Sequence, residues 1–191
     1  MNKIRCALSS DASSILDIYA PYIANTAVSF ETEVPTVEDF TRRIMGNQES
    51  CPWLVYESGG FIAGYAYASK HRDRAAYQWS LESSVYVNES FRQQGIATKL
   101  YQKLFQILKY QGCRNLYAGI TLPNEKSVIF HQKMGFSKIA DYKNIGYKFN
   151  RWHTVGWYEL QLNVYSDAPA PFIKWSQIES TDRDAIMNPI A

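Results

Sequence analysis

The chain has 191 residues, enough for one well-formed hydrophobic core and marginal for two, so one principal domain is expected. Hydrophobic residues make up 46% and charged residues 20%, which excludes the low-apolar, high-charge pattern of a disordered chain. A formal net charge of +2 without a basic block excludes a nucleic-acid footprint.

No apolar run approaches the roughly 20 residues of a membrane span, and the first ten residues hold no signal-peptide core, so a cytoplasmic location is expected. Cys6, Cys51 and Cys113 have neither the pairing of a disulfide framework nor metal-ligand spacing, so no metal is expected. Aromatic residues reach 15%, with 14 Tyr, 9 Phe and 5 Trp. Such a surplus suits an aromatic-rich core, a ligand cleft or a subunit interface.

Ile4, Cys6 and Leu8 alternate as in a short strand. Ser9-Ser10-Asp11 then offers capping oxygens to a helix with Ile15, Ile18, Tyr19 and Tyr22 on its apolar face, which Pro21 should bend or end. A second helix is expected after Thr36, with Asp39 at its positive end and Phe40 and Ile44 facing inward. Residues 53–56 and 61–67 flank Ser58-Gly59-Gly60 and read as a hairpin. Residues 76–87 read as a central strand and 95–110 as a helix stopped by Gly112. Then come a strand over 116–121, a break at Pro123-Asn124, a short helix ending at Gly135, and strands near 136–142 and 155–162. This order is α+β with one mixed sheet. Beyond Leu162 the pattern weakens to a tail over 163–191, in which Phe172, Ile173 and Trp175 are the packing candidates.

The chemistry-bearing segment is Val85-Tyr86-Val87, then Arg92-Gln93-Gln94-Gly95-Ile96-Ala97-Thr98 and the helix beyond. A strand passing through a glycine loop into a helix N-terminus leaves backbone N–H groups aimed outward, an arrangement that holds phosphate oxygens. Gly95 permits positive φ and close approach of an anion, while Arg92 and Lys99 can add charge. With a single glycine, the loop fits neither the phosphate loop of nucleotide hydrolases nor the dinucleotide fingerprint, and a plain helix start stays open beside the cradle.

Gln93-Gln94-Gly95-Ile96-Ala97 resembles the acetyl-CoA loop of the GNAT superfamily of N-acetyltransferases, with Ala97 where a second Gly is common. The run Asn124-x-x-Ser127-x-x-Phe130-His131-x-Lys133-x-Gly135-Phe136 resembles the second half of that superfamily's CoA site. Pro52-Trp53-Leu54-Val55, Ala76-Tyr77-x-Trp79-Ser80-x-Glu82-Ser83-Ser84-Val85-Tyr86-Val87 and Gly146-Tyr147-Lys148-Phe149-x-x-Trp152-His153 are similar to the phosphinothricin N-acetyltransferase subfamily. The resemblance covers residues 3 to 162 and leaves the tail outside, so a domain over 1–162 is expected to carry the chemistry.

The resemblance implies a GNAT fold, a mixed central β-sheet with a splayed, bulged centre flanked by helices. It implies acetyl-CoA as co-substrate, a small amino-acid analogue such as phosphinothricin, methionine sulfoximine or methionine sulfone as acceptor, and a homodimer. The pantetheine arm would lie along Val85 to Val87, with Asn124 and Ser127 completing the cofactor site. Glu82 matches the subfamily's catalytic Glu, and a carboxylate among apolar strand neighbours is costly unless solvated, paired or functional. A structural Glu bonded to backbone or to Arg stays open. His131 stands where many members carry a proton-donating Tyr, and imidazole serves as either acid or base. Arg74 and Tyr77 match positions near substrate and Phe30 matches an aromatic on the cleft rim; for Arg72 a solvated loop charge is favoured, and for Arg74 both readings stay open. Acetylation of a protein N-terminus or lysine, or a non-catalytic acyl-CoA sensor, remain as alternatives.

Overall fold

Residues 2–188 are described by the computed structural model; Met1 and residues 189–191, the outer ends of the expected domain and tail, lie outside the described residues. Strand β1 (Asn2–Cys6) leads through a 3-10 turn into helix α1 (Ala12–Asn25). Asp11 does not cap α1 as its position led us to expect. Its carboxylate accepts the Leu8 N–H at 2.7 Å and pairs with Arg5 at 2.6 Å, closing the turn before the helix. Nor does Pro21 end α1, which continues to Asn25. Buried Ile15, Ile18 and Tyr19 before the proline and Ile23 after it hold both halves on the sheet, and this tertiary packing outweighs one missing N–H. Helix α2 (Val37–Asn47) is capped as expected, Thr36 Oγ1 accepting the Asp39 N–H at 3.1 Å, with Phe40 and Ile44 buried.

The strands β2 (Trp53–Ser58), β3 (Phe61–Lys70), β4 (Ser80–Val87), β5 (Asn115–Leu122), β6 (Ser137–Lys148) and β7 (Arg151–Gln161) join β1 in one mixed sheet of order β1-β2-β3-β4-β5-β7-β6. Helix α3 (Ile96–Tyr110) covers one face and α4 (Glu125–Lys133) follows β5. The strand expected from Ala76 starts at Ser80, because Ala75–Tyr77 forms a 3-10 turn in which the Tyr77 N–H donates to the Arg74 carbonyl at 2.9 Å. The late strands are longer than expected. Lys148 pairs with Arg151 across Phe149-Asn150, both at positive φ (52° and 57°), the geometry of a two-residue hairpin turn. Phe-Asn lacks the usual glycine signal, which hid the turn.

Two cores result, one on each face. Leu100, Leu104, Ile107 and Leu108 of α3 pack with Leu81 and Leu116, while α1 and α2 pack Ile15, Ile23 and Phe40 on Trp53, Val55 and Tyr65. The segment after Leu162 lies on the first of these. Its described part includes helix α5 (Ser180–Met187), and buried Trp175 and Ile178 join the α3 core. Gln111 Nε2 ties it down by donating to the carbonyls of Ser50 at 2.7 Å and Ile173 at 2.8 Å. Among the described residues no helix is long and apolar enough to cross a membrane.

Trp175→Ala should therefore lower stability by about 3 kcal/mol, as a shift in the urea unfolding midpoint, because it empties a filled core position. Cofactor affinity of the folded fraction should be unchanged, since Trp175 does not line the cleft that holds Val85 to Val87 and Ala97.

Candidate active site

β4 and β5 run parallel and pair only over Ser80↔Asn115, Leu81↔Leu116 and Glu82↔Tyr117. Beyond Glu82 they part. β4 stays paired with β3 without interruption from Lys70↔Leu81 to Gly64↔Val87, and β5 stays paired with β7 to Leu122↔Thr154, so the opening lies between the two central strands. A cleft of about 350 Å³ occupies it, lined by Val85, Tyr86, Val87, Arg92, Ala97, Asn124, Ser127 and His131. The two motifs, nearly thirty residues apart in sequence, thus form opposite walls of one cleft. One strand-edge acceptor is already used, as the Tyr22 hydroxyl donates to the Val87 carbonyl at 3.1 Å.

The loop from Gln93 to Thr98 reaches this cleft through Ala97, beside Arg92. Gly95 caps α3 at φ 74°, the left-handed conformation that favours glycine, and Gln93 shares it at φ 64°. Gln93, Gln94 and Gly95 are exposed, Ile96 roots the loop in the core, and Ala97 and Thr98 are half-buried at the first turn. Arg92 reaches back to Glu89 at 3.0 Å and to the Tyr22 hydroxyl at 3.4 Å. The first turn of α3 thus meets the cleft at Ala97, and the N–H groups of a helix's first turn are suited to pyrophosphate oxygens. On the facing wall, Asn124 Oδ1 accepts the Ser127 N–H at 3.3 Å and caps α4.

Glu82 is the last β4 residue paired with β5, at the vertex of the opening. Its carboxylate is half-buried and its Oε1 lies 2.8 Å from His71 Nδ1 and 3.6 Å from Arg72 Nη1. His71 escaped the sequence reading as a site residue. The pattern that could have shown it is the hairpin register Ser69↔Glu82, which makes His71 a diagonal neighbour, but the strand expected from Ala76 concealed that register.

His131 is buried on α4 with both ring nitrogens engaged. Nδ1 lies 2.8 Å from the Ser127 carbonyl, which only accepts, so Nδ1 carries the proton and Nε2 accepts from the Tyr101 hydroxyl at 3.1 Å. Tyr101, fully buried on α3, is a second partner that helical periodicity alone reads as core.

Arg74 and Tyr77 lie elsewhere than the cofactor cleft. With Arg72, Lys70, Phe172 and Lys174 they line a separate cavity of about 290 Å³, and Arg72 links this cavity to Glu82. Phe30 sits on the α1–α2 connection with its ring against Gly146, where any Cβ would overlap it, and 6.1 Å from the ring of His153. Among the described residues no group of three or more His, Cys, Asp or Glu side chains could hold a metal ion.

Burial lowers the pKa of His131 below the ordinary 6.5, an effect that outweighs its bond to Ser127. The unfolded chain therefore takes up this proton first, and the stability held above pH 6.5 drains away as the pH falls below it. In His131→Phe the urea midpoint should vary less between pH 6.5 and about pH 5 than in the wild type.

Comparison with known proteins places this geometry. Residues 4–157 match the model of the acetyltransferase (GNAT) domain. A phosphinothricin N-acetyltransferase of Streptomyces viridochromogenes is 35% identical over 169 residues, covering 88% of this chain and 90% of that protein. An L-methionine sulfoximine/L-methionine sulfone acetyltransferase of Salmonella typhimurium is 28% identical over 168 residues, covering 85% and 96%. Among solved structures, an N-acetyltransferase from Staphylococcus aureus has a TM-score of 0.82 at 36% identity, covering 85% of this chain and 99% of that one. A phosphinothricin acetyltransferase from Sinorhizobium meliloti, solved with acetyl-CoA, has a TM-score of 0.81 at 27% identity, covering 91% and 98%. The left-handed Gly95 at a helix start and the parted strand edge beside it suit that cofactor's pyrophosphate and its amide-bearing arm. With family match, fold and cleft in agreement, the chain belongs to the acetyltransferase (GNAT) family and is an N-acetyltransferase that uses acetyl-CoA.

Proposed function

We propose that the chain acetylates the α-amine of a small amino-acid analogue of the phosphinothricin, methionine sulfoximine or methionine sulfone kind, with Glu82 as general base. The observation that carries this reading is the place of Glu82 at the vertex where β4 leaves β5, with one carboxylate oxygen engaged and Oε2 without a hydrogen bond among the described residues. The names of the Streptomyces and Salmonella relatives support the acceptor class. So does the cation-rich cavity of Arg72, Arg74 and Lys174, since such acceptors carry a carboxylate and a second polar group. Tyr77 lines the same cavity, while Phe30 keeps its assignment to the acceptor side by resemblance alone.

An amino acid reaches the site largely as ammonium, which cannot attack a carbonyl. Glu82 takes one proton to free the nitrogen lone pair; the nitrogen sheds a second as the amide forms, which balances the departing thiolate. Val85 to Val87 would hold the arm of acetyl-CoA and Gln93 to Thr98 its phosphates, and the bound thioester would supply the electrophilic carbon. His131, held neutral and bonded at both nitrogens, would have to break the Tyr101 bond to carry a proton outward. It is therefore assigned the lesser share of proton transfer. A homodimer belongs to the same reading, supported by Ile139, Ile145, Tyr147, Phe149 and Trp152, each more than half exposed on the β6–β7 hairpin.

Thiol release should be fast with methionine sulfone or phosphinothricin and slow with peptides bearing a free N-terminus or lysine. Equal or faster rates on peptides would reject the small-acceptor reading, and no release with any amine would make the chain a sensor. Glu82→Gln should cut turnover by about 10²–10⁴-fold with acetyl-CoA affinity kept, and His131→Phe should cut it less; the reverse order would make His131 the base. Gly95→Val should weaken acetyl-CoA binding by about tenfold in calorimetry, because a β-branched residue resists the left-handed conformation that aims the loop.

A further inference from the structure

We propose that His71 is a positioning residue for Glu82: it holds one carboxylate oxygen and thereby leaves the other aimed to take the proton of the acceptor's ammonium. The proposal rests on the reading of Glu82 as the base. A carboxylate only accepts, so His71 Nδ1, 2.8 Å from Oε1, carries the hydrogen of that bond. The ring itself is clamped. It stacks on Tyr117 with centroids 4.6 Å apart and planes at 28°, and meets Trp157 edge-on at 5.8 Å and 82°. Tyr117 is fixed in turn, its hydroxyl donating to Glu159 Oε1 at 2.9 Å. The backbone completes the frame, since Ser69 is the register partner of Glu82 and the His71 N–H donates to the Ser80 carbonyl at 3.3 Å. Three strands thus converge on one imidazole whose donor has one target.

This arrangement bears on catalysis because Glu82 sits where the sheet opens. A carboxylate on a flexible stem would otherwise rotate, and a base acts efficiently only when one oxygen stays within hydrogen-bond reach of the proton it removes. The charged and titratable groups facing Glu82 are His71 and Arg72 from the β3–β4 connection, Tyr67 from β3, and Tyr117 from β5 with Glu159 behind it on β7. Tyr77 meets the His71 ring edge-on at 6.4 Å. Arg72 is 50% exposed on its side chain and lies at 3.6 Å, so water weakens its hold, whereas the His71 side chain is only 18% exposed.

The test uses the full chain with methionine sulfone and acetyl-CoA. His71→Phe keeps a ring for the Tyr117 stack and removes the donor; His71→Asn keeps a donor near the same place and removes the ring. In His71→Phe, kcat should fall by about tenfold or more and the acidic limb of kcat/KM should move to higher pH, with KM for acetyl-CoA unchanged. His71→Asn should recover most of the turnover and of the pH profile. In the Glu82→Gln background, His71→Phe should cost nothing further, because there is no base left to position. Wild-type turnover and pH profile in His71→Phe, or a His71→Asn variant as impaired as His71→Phe, would overturn the proposal. If His71→Phe does not fold, His71→Ala replaces it as the donor-free variant, read against His71→Asn in the same way. Full activity in Glu82→Gln would instead refute the reading of Glu82, whereas an inactive Glu82→Gln beside a fully active His71→Phe would refute His71 alone.

Discussion

A sheet that stops pairing at its own centre must find other partners for the backbone it exposes, and the parting of β4 from β5 after Glu82 and Tyr117 imposes this on the whole molecule. The protein meets part of the demand itself. Tyr22 of α1 donates to the Val87 carbonyl, and the Ser83 hydroxyl donates to the Tyr117 carbonyl at 3.4 Å. The rest of the edge is unpaired between the two central strands, where we propose that the amide-bearing arm of acetyl-CoA takes its place. The opening also explains why β3 and β7 pair so completely with their central neighbours: each central strand keeps one full ladder to hold it while the other side is surrendered.

The second requirement is that the flanking layers keep the opening at a fixed width. On one side α3 is rooted by fully buried Leu100, Leu104, Ile107 and Leu108, so its half-buried first turn is carried by a close-packed core. On the other side the connection between α1 and α2 is pinned from a distance. Lys148 Nζ, buried near the end of β6, donates to the Ile23 and Ser29 carbonyls at 2.7 and 2.8 Å, and burial lowers its pKa. Glu31 of the same connection pairs with Arg43 at 2.7 Å. Phe30, between these anchors, rests on the backbone of Gly146, where an added Cβ would displace its ring. The cleft rim is thus tied to the late hairpin as firmly as to its own helices.

The two groups proposed to move protons sit in contrasting surroundings. Glu82 keeps partial access to water and one unengaged oxygen, whereas His131 is buried, neutral and bonded at both ring nitrogens. Two protonic groups with different access can divide a reaction between them without competing for one proton. The asymmetry comes from the layers: β4 faces the open vertex, and α4 turns His131 inward toward Tyr101 of α3.

Much of this was written in local sequence. The Gly95 turn, the Thr36 cap, the period of α3 and the Ser58-Gly59-Gly60 hairpin are local because φ preference, capping oxygens and apolar spacing act within a few residues. The α+β order followed from them, and the paired motifs around Gly95 and Asn124 pointed to the cofactor. Other features needed the folded chain. Pro21 stays inside α1 because Ile23 packs beyond it, Phe149-Asn150 turns without glycine because β6 and β7 force the register, and Trp175 finds its seat on a core made far upstream. The site divides in the same way. Glu82 and His131 were visible as residue types in a pattern, but the bond from His71 to Glu82 and that from Tyr101 to His131 join different elements. Propensity and spacing describe a chain along its length; a hydrogen bond between side chains 11 or 30 residues apart depends on register and packing, which only the assembled sheet and helices fix.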